Sequence, residues 1–391
     1  MSTWAGGPQV NGKSAPAGAA ETASNATPPA SPASARSHNR RMTSDRPLRI
    51  RGSLIRGGNS VKMLAPAVAG GELWQARPVL IVFIGESFSA ARKMVAELLP
   101  GDEVRACPAD ELPSGAIDVL VPTMSRVDAQ LMDRVQPRLI QQFGAGLEGV
   151  DLDAARERGI PVANVPAAST GNAASVAELA VLHLLALSRR LDESRLALRN
   201  RQLGEPIGQS LVGRTATVLG LGGIGREVLV RLRPFGARLL GVGRRPSAEL
   251  DADTDAMLDA YYPAERLSEA LSQSDLLILC TPLTPQTRGL IGAAELAALR
   301  PGSLLINVAR GPVVDRDALL TALREGHLAG AGLDVFWDEP IDPADPILEQ
   351  NVLATPHVGG VTVQAGRNTA QKFAANIERL RSHEPLEDRA A

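Results

Sequence analysis

A glycine-rich hexapeptide in the middle of the chain, residues 220–225 (GLGGIG), constrains the fold more than any other feature. The apolar run 215–219 before it predicts a buried strand, and residues 226–235 after it predict a helix with one apolar face. In such a unit the first glycine allows a tight turn, the second lets the backbone approach a pyrophosphate, and the third lets helix pack on strand. The helix N-terminus offers N–H groups to phosphates. The pattern favours a dinucleotide-binding turn over a purely structural glycine turn.

Charge and cysteine content exclude several classes of function. The chain has 391 residues, enough for two domains and a tail, and its formal net charge is −2. It therefore carries no basic field that would attract nucleic acid or an anionic membrane. Cys107 and Cys280 cannot form a disulfide framework, and no Cys/His cluster has the spacing of a zinc site. We expect no metal and no nucleic-acid partner.

Two further features narrow the class of protein. No lysine lies between Lys93 and Lys372, which excludes a Walker-type phosphate loop from that stretch. The longest apolar helical run, 176–187, contains Glu178 and His183 and is too short to span a bilayer. The composition predicts a soluble, cytoplasmic protein with no membrane partner.

The N-terminal residues 1–75 differ in composition from the rest. They are rich in Ala, Pro, Ser, Gly and Arg and lack apolar periodicity, so we expect a disordered tail. No apolar segment typical of a secretory signal is present. The arginines leave a transit peptide open as one interpretation, and a start at Met63 as another.

From residue 78 onward, strands and helices alternate at the spacing of a parallel, doubly wound sheet. The first series of predicted strands is 79–84, 117–121, 138–143 and 162–164, with helices at 88–99, 128–135 and 151–157. The second series is a six-stranded sheet, with strands at 215–219, 239–243, 276–280, 304–308, 332–336 and 352–355 and a helix at 225–235. The fold class is therefore α/β, with a flavodoxin-like substrate domain, a Rossmann cofactor domain and a cleft between them.

Helix-capping patterns predict further helices, including one that joins the two series of strands. Ser175 to Glu178 has the pattern of a capping box and predicts the longest helix of the chain, running to about Asn200 and joining the domains. A later helix is predicted from an N-cap at Asp315 to Gly326. The final helix, 364–382, is expected to return to the first domain. The predicted domains are a substrate domain at 76–178 and 360–385 and a dinucleotide-binding domain at 179–359.

Three polar residues each follow a predicted strand of the second series. They are Arg310, Glu339 and His357. Ligands bind at the carboxyl ends of strands in open α/β sheets, so these side chains are expected to lie together. Taken singly, each has a bland explanation as a solvated, turn or structural residue. Their combination behind a dinucleotide turn predicts an acid–base site that holds a carboxylate.

The chain resembles the D-isomer-specific 2-hydroxyacid dehydrogenase family over roughly residues 79–382. The glycine fingerprint is one matching motif, and the others are spread along the chain: Gly144-Ala145-Gly146 with Asp151, residues 158–164 (RGIPVAN), residues 175–178 (SVAE), Pro282-Leu283-Thr284 with Thr287, residues 307–311 (NVARG), residues 333–335 (LDV) and residues 355–357 (TPH).

The resemblance implies roles for individual residues. His357 would be the general acid when a 2-keto acid is reduced, and histidine ordinarily titrates in the range that suits this work. Glu339 would pair with the imidazole and orient it. Arg310 would bind the substrate carboxylate and polarise its carbonyl, opposite the backbone N–H groups of Ala145 and Gly146.

The same resemblance implies a larger set of binding residues. Those expected to bind the cofactor are Val176, Gly220, Gly222, Gly223, Ile224, Gly225, Arg244, Arg245, Thr281, Pro282, Thr287, Val308, Ala309, Arg310, Asp334, His357, Gly359 and Gly360. Among them, Asp334 would accept a hydrogen bond from the nicotinamide carboxamide. Those expected to bind substrate are Thr123, Ala145, Gly146 and Arg310, while Pro122, Met124 and the surroundings of Trp337 would contact its side chain. Family members usually form homodimers through the cofactor domain, so a homodimer is expected.

One departure from the common family pattern bears on the cofactor. An acidic residue that binds the ribose hydroxyl is expected about 20 residues after the fingerprint. The stretch there reads Gly243-Arg244-Arg245, and two arginines could neutralise a 2′-phosphate. We therefore expect NADP to be favoured over NAD. In the alternative, the arginines are solvated or stack on adenine and NAD remains usable.

The sequence thus predicts an NAD(P)-dependent oxidoreductase acting on the CH–OH group of a small D-2-hydroxy acid, most simply a glyoxylate or hydroxypyruvate reductase. A phosphoglycerate dehydrogenase-like enzyme is the alternative within the class. A dinucleotide-sensing, corepressor-like binding protein is the alternative outside it.

Overall fold

Two wholly parallel β-sheets organise the part of the chain described by the computed structural model, residues 77–115 and 117–391. This arrangement confirms the predicted α/β class. The tail predicted over residues 1–75 lies outside the described residues. Within them, no helix is both long and apolar enough to cross a membrane.

The first sheet is built from residues 80–163. Its strands and helices are β1 (Leu80–Ile84), α1 (Ser89–Leu98), β2 (Glu103–Cys107), β3 (Val119–Val121), α2 (Ala129–Val135), β4 (Leu139–Gln141), α3 (Leu152–Glu157) and β5 (Val162–Ala163). The strand order is β2-β1-β3-β4-β5. β2 was not predicted, because this edge strand is partly exposed along its length and lacks a continuous apolar run.

Two helices follow in the sequence: α4 (Asn172–Ser188) and α5 (Leu191–Arg199). The prediction of one helix capped at Ser175 and running to Asn200 is wrong. Ser175 lies inside α4, where its hydroxyl donates to the carbonyl of Gly171, 3.2 Å away, one turn earlier. Arg190 has a left-handed backbone (φ 51°), which separates α4 from α5.

The second sheet has seven strands, where six were predicted. Its elements are β6 (Thr215–Leu219), α6 (Gly223–Leu232), β7 (Arg238–Gly243), α7 (Ala252–Ala256), β8 (Ala260–Pro263), α8 (Leu267–Leu271), β9 (Leu276–Leu279), α9 (Ala293–Ala298), β10 (Ser303–Asn307), α10 (Arg316–Arg324), β11 (Leu328–Leu333) and β12 (Val352–Ala354). The order is β12-β11-β10-β9-β6-β7-β8. The missed strand, β8, is an edge strand of only half-buried residues.

The position of β11 also differs from the prediction of 332–336. The strand starts at Leu328 and includes Gly330 and Gly332, whose lack of side chains weakens the apolar pattern. Tertiary packing explains these glycines: a Cβ on Gly332 would lie 2.7 Å from the Cβ of His183 on α4. The N-cap at Asp315 is confirmed, since its carboxylate accepts from the amide of Ala318 at the start of α10.

The last helix, α11 (Val363–Ser382), is the longest of the described residues and packs against the first sheet rather than the second. The ring of Phe373 stacks on Phe83 of β1, with ring centroids 6.2 Å apart. The amide of Asn376 donates to the side-chain oxygen of Gln141, at 2.9 Å in a buried position. The predicted domain limits, with a discontinuous first domain, stay a prediction that this packing supports.

Short 3₁₀ helices occupy several connections, at Ala167–Ser169, Arg233–Phe235, Ser247–Glu249, Ala264–Arg266, Gly311–Val313 and Pro346–Glu349. Of these, Gly311–Val313 follows β10 after residues 308–310. It begins immediately after Arg310, one of the predicted catalytic residues.

Candidate active site

A cleft of about 480 Å³ is lined by loops that follow strands of both sheets. Predicted site residues that line it are Thr123, Ala145, Gly146, Val176, Ile224, Val308, Arg310, Asp334, Glu339, His357 and Gly360. The structure thus brings together all three predicted catalytic residues and all predicted substrate-binding residues. Predicted cofactor residues outside the lining are Gly220, Gly222, Gly223, Gly225, Arg244, Arg245, Thr281, Pro282, Thr287, Ala309 and Gly359.

Arg310 is positioned by the turn that ends β10. The side chain of Asn307 accepts from the amide of Ala309 and donates to the carbonyl of Arg310, each at 3.0 Å. One guanidinium nitrogen, Nη1, donates to the carbonyl of Ala309 at 2.7 Å. Gly311 is required for space, because a Cβ there would lie 2.1 Å from the carbonyl carbon of Phe336. This close crossing places the Arg310 turn beside the loop that carries Glu339.

Glu339 and His357 form a directly bonded pair. The Nδ1 of His357 lies 2.6 Å from Oε2 of Glu339, and Oε1 accepts from the amide of Phe336 at 2.9 Å. Burial raises the pKa of the Glu339 carboxyl, but the bonds from His357 and Phe336 and the charge of Arg310 outweigh it, so the net pKa is lowered. The carboxylate is therefore ionised, and Nδ1 carries the proton that bonds to it. The Nε2 of His357 is left to exchange a proton with a bound molecule.

A network around Asp334 holds the His357 loop. Asp334 Oδ1 accepts from the hydroxyl of Thr355 at 2.7 Å and from the amide of Val358 at 2.8 Å. Oδ2 accepts from the amide of Gly359 at 2.8 Å, and the amide of His357 donates to the Asp334 carbonyl. Oδ2 thus retains capacity for one more donor, which fits the predicted bond to a carboxamide. His357 itself has a left-handed backbone (φ 53°) that this network maintains.

The network extends to His183, which sequence analysis noted only as a polar residue in an apolar run. His183 is fully buried on α4, and its Nε2 lies 3.2 Å from the hydroxyl of Thr355. Because that hydroxyl donates to Asp334, Nε2 must be the donor, and Nδ1 has no partner among the described residues. Burial lowers the pKa of His183, although the charge of Asp334 opposes the shift. His183 is therefore a neutral support of Asp334.

The opposite wall of the cleft offers backbone amides. The side chain of Gln142 donates to the carbonyls of Thr123 and Gly146, at 2.8 Å and 2.9 Å, and thereby shapes the loop after β4. The amides of Ala145 and Gly146 donate to no acceptor among residues 77–115 and 117–391. Both are therefore available to an anionic ligand.

Apolar side chains complete the cleft. The ring of Phe88 meets the His357 imidazole edge-on, with centroids 6.5 Å apart. Sequence analysis did not single out Phe88, whose proximity to His357 depends on the approach of the two sheets. Other apolar lining residues include Met94, Met124, Phe143, Leu283, Phe336 and Trp337.

The glycine fingerprint forms the turn between β6 and α6. Gly220 has φ +95°, and a Cβ there would lie 2.8 Å from the amide of Thr281. A Cβ on Gly225 would lie 1.9 Å from the carbonyl oxygen of Gly220, so this residue lets the helix pack on the turn. Gly222 faces open space and begins α6 without a side-chain cap, which leaves amides free for phosphate oxygens. These residues fit a dinucleotide.

The remaining predicted cofactor residues lie at the same edge of the second sheet. Arg244 and Arg245 follow β7, are exposed, and form no ion pair with another described residue. Thr287 is buried and its hydroxyl donates to the carbonyl of Pro282 at 2.7 Å, so it shapes the loop after β9. Burial raises the pKa of Cys280 to about 12, which makes this thiol unreactive at neutral pH. Within the described residues, no group of three His, Cys, Asp or Glu side chains could hold a metal ion.

Comparison with known proteins agrees with this geometry. Residues 181–359 match the sequence model of the D-isomer specific 2-hydroxyacid dehydrogenase NAD binding domain. Glyoxylate reductase from Thermococcus gammatolerans is 35% identical over 272 residues, which are 67% of this chain and 79% of that protein. (S)-sulfolactate dehydrogenase from Chromohalobacter salexigens is 36% identical over 271 residues, 68% of this chain and 85% of that protein.

This chain is also similar to a solved structure. NADPH-dependent glyoxylate/hydroxypyruvate reductase from Sinorhizobium meliloti, in complex with NADP and malonate, superposes with a TM-score of 0.68 at 32% identity. The match covers 81% of this chain and 97% of that one. By these matches the chain is an NAD(P)-dependent oxidoreductase acting on a CH–OH group, and it belongs to the D-isomer specific 2-hydroxyacid dehydrogenase family.

Proposed function

We propose that this enzyme reduces glyoxylate or hydroxypyruvate, with NADPH as the favoured reductant. One observation carries the proposal: the Glu339–His357 pair, Arg310 and the free amides of Ala145 and Gly146 all face one cleft. This set can bind a carboxylate, polarise a neighbouring carbonyl and deliver a proton. The similarity to a glyoxylate reductase at 35% identity supports the small substrate.

The residues divide the work of the reaction. The guanidinium of Arg310 and the amides of Ala145 and Gly146 hold the substrate carboxylate from opposite sides of the cleft. The nicotinamide cofactor, when bound, supplies a hydride to the keto carbon. Protonated His357 gives the proton on Nε2 to the carbonyl oxygen, which becomes the hydroxyl of the product. Glu339 balances the charge of the imidazolium and keeps Nε2 aimed at the cleft.

Several features support a preference for NADPH. No carboxylate directly follows β7 to bind a ribose hydroxyl, and the exposed Arg244 and Arg245 are free to meet a 2′-phosphate. A similar solved structure belongs to an NADPH-dependent enzyme and contains NADP. Asp334, Val176 and the glycine turn would hold the rest of the molecule.

A substrate panel with both cofactors tests the proposal. Purified enzyme is assayed with glyoxylate, hydroxypyruvate, 3-phosphohydroxypyruvate and longer keto acids, each with NADPH and NADH. We expect glyoxylate or hydroxypyruvate to have the highest kcat/KM, and NADPH to exceed NADH. The double variant Arg244→Ala/Arg245→Ala should lose about tenfold in kcat/KM with NADPH and little with NADH, while Arg156→Ala, on helix α3, should change neither value.

The panel also tells the alternatives apart. A clear advantage for NADH in the unaltered enzyme would contradict the cofactor preference. Highest efficiency with 3-phosphohydroxypyruvate would indicate the phosphoglycerate dehydrogenase alternative. Tight cofactor binding without turnover of any keto acid would indicate a dinucleotide sensor instead. A cytoplasmic location is part of the proposal and is tested by fractionating the native cell.

We further propose a homodimer, formed through the region from α4 to α6. Large apolar side chains are exposed in this region, most of all Leu203 (92% exposed) and Ile207 (84%), together with Leu182, Leu191, Leu196, Leu198, Val212 and Val230. So many exposed large apolar side chains within one stretch of the chain favour an interface. Leu203→Asp/Ile207→Asp should convert a dimer to a monomer in analytical ultracentrifugation, whereas Leu98→Asp on α1 should not. A monomeric unaltered enzyme would refute the proposal.

A further inference from the structure

An acidic side chain lies in the substrate wall of the cleft, where an anion is to be bound. Glu148 follows the Ala145–Gly146 loop, lines the cleft and was not singled out by sequence analysis. Its Oε1 lies 3.4 Å from Nε of Arg310. Both side chains are about one-third exposed (31% for Glu148 and 28% for Arg310), so the pair is open to the cleft.

The contact leaves Arg310 little freedom. Nε faces Glu148, and Nη1 donates to the carbonyl of Ala309. The third nitrogen, Nη2, lies against Gly146. A Cβ added to Gly146 would be 2.3 Å from this Nη2 and 2.5 Å from Oε2 of Glu148. Glu148 is therefore adjacent to both groups that would hold the substrate carboxylate, the guanidinium and the Gly146 amide.

The balance of charge in the cleft follows from these contacts. The charged or titratable side chains that line it are Glu148, Arg288, Arg310, Asp334, Glu339 and His357. Asp334 and Glu339 are already held by the donors described above, whereas the charge of Arg310 is shared with Glu148. A substrate with one carboxylate adds a single negative charge, which Arg310 and two amides can accommodate.

A second anionic group on the same small molecule meets a different environment. In a keto acid of three or four carbons, that group lies within about 5 Å of the first, well inside the roughly 8 Å over which charges interact at physiological salt. It would face Glu148 at short range. The other arginine of the cleft lining, Arg288, is an exposed residue on the loop after β9, next to Thr287 of the predicted cofactor side.

We propose that Glu148 is a specificity-determining residue that selects keto acids with a single negative charge and rejects those with a second one. It acts by like-charge repulsion of the second group, and by holding Arg310 in a fixed orientation for the first. The inference rests on the proposed function for the identity of the substrates. The selection by charge is a separate property of the cleft and can be measured without turnover.

The turnover test compares two keto acids of similar size, hydroxypyruvate with one negative charge and oxaloacetate with two. We expect the unaltered enzyme to favour hydroxypyruvate by at least about 100-fold in kcat/KM. Glu148→Gln keeps an acceptor oxygen for Arg310 but removes the charge. It should reduce this preference at least tenfold, mainly through a lower KM for oxaloacetate. Glu148→Ala also removes the acceptor and should lower kcat for both substrates.

The binding test separates this inference from the proposed function. Oxamate and oxalate have nearly the same shape but carry one and two negative charges. Their dissociation constants for the holoenzyme with NADP are measured by calorimetry. Glu148→Gln should shift the ratio of the two constants about tenfold toward oxalate, and Glu111→Gln, an exposed glutamate outside the cleft lining, should not.

The two tests together distinguish a failure of the charge selection by Glu148 from a failure of the proposed function. A shifted binding ratio without any turnover would refute the proposed function and support the charge selection. An unchanged ratio in both tests would refute the charge selection and leave the function standing. Efficient use of oxaloacetate by the unaltered enzyme would also refute it, and would point to Arg288 as the partner of a second anionic group.

Discussion

The two walls of the cleft are built in different ways. On the cofactor side, Asp334, Glu339 and His357 are joined to one another and to the backbone through short hydrogen bonds. On the substrate side, Ala145 and Gly146 present unpaired amides, and Glu148 reaches Arg310 across a gap of 3.4 Å. The difference teaches that the proposed proton-transfer groups are held by hydrogen bonds before a substrate enters, while the groups proposed to bind the substrate still have free donors.

Replacement of His357 should have the largest effect on turnover, because this residue is the proposed general acid. His357→Ala should lower kcat by about 10²–10⁴-fold and leave NADPH affinity nearly unchanged. Steady-state assays and fluorescence titration of NADPH measure the two quantities. His383→Asn serves as the control, since His383 is an exposed histidine at the end of α11. Turnover within a few-fold of the unaltered enzyme would remove His357 from the mechanism.

A smaller loss of kcat/KM is expected from Gly146→Ala, which tests the substrate side of the cleft. The added Cβ would meet only terminal side-chain atoms of Arg310 and Glu148 and no backbone, so the protein should fold with unchanged thermal stability. The guanidinium must move, and kcat/KM should fall by about 10–100-fold. Gly101→Ala, where a Cβ meets open space, is the matched control. Full activity in Gly146→Ala would mean that Arg310 is not held where the structure places it.

The smallest effect is expected from His183, the buried histidine beside Thr355. The pKa of His183 is lowered in the folded protein, so below about pH 6.5 the unfolded chain binds more protons there than the folded one. This histidine therefore makes the free energy of unfolding decrease as pH falls from about 6.5. His183→Asn should weaken that decrease in urea unfolding at pH 7.5 and 5.5. An identical pH dependence in the variant, with exposed His383→Asn alongside, would contradict this role.

Sequence analysis located most of the fold from apolar runs, and missed the elements whose burial is partial. β2 and β8 are edge strands without a continuous apolar pattern. The Ser175–Glu178 pattern predicted a helix start that the structure does not contain, because the chain can begin a helix at Asn172 without a side-chain cap. Local patterns of this kind are weak where packing of a whole helix determines its ends.

The sequence by itself determined where the candidate catalytic residues lie in the fold. Arg310, Glu339 and His357 follow strands of a parallel sheet, and the carboxyl ends of such strands share one edge. Tertiary structure alone decided which atoms meet across that edge. Glu148 reaches Arg310 from the other wall, and His183 reaches Thr355 from a helix that precedes the second sheet. These contacts join residues more than 150 positions apart, and no local pattern encodes them. The first depends on how the two sheets approach each other, and the second on how α4 packs against the second sheet.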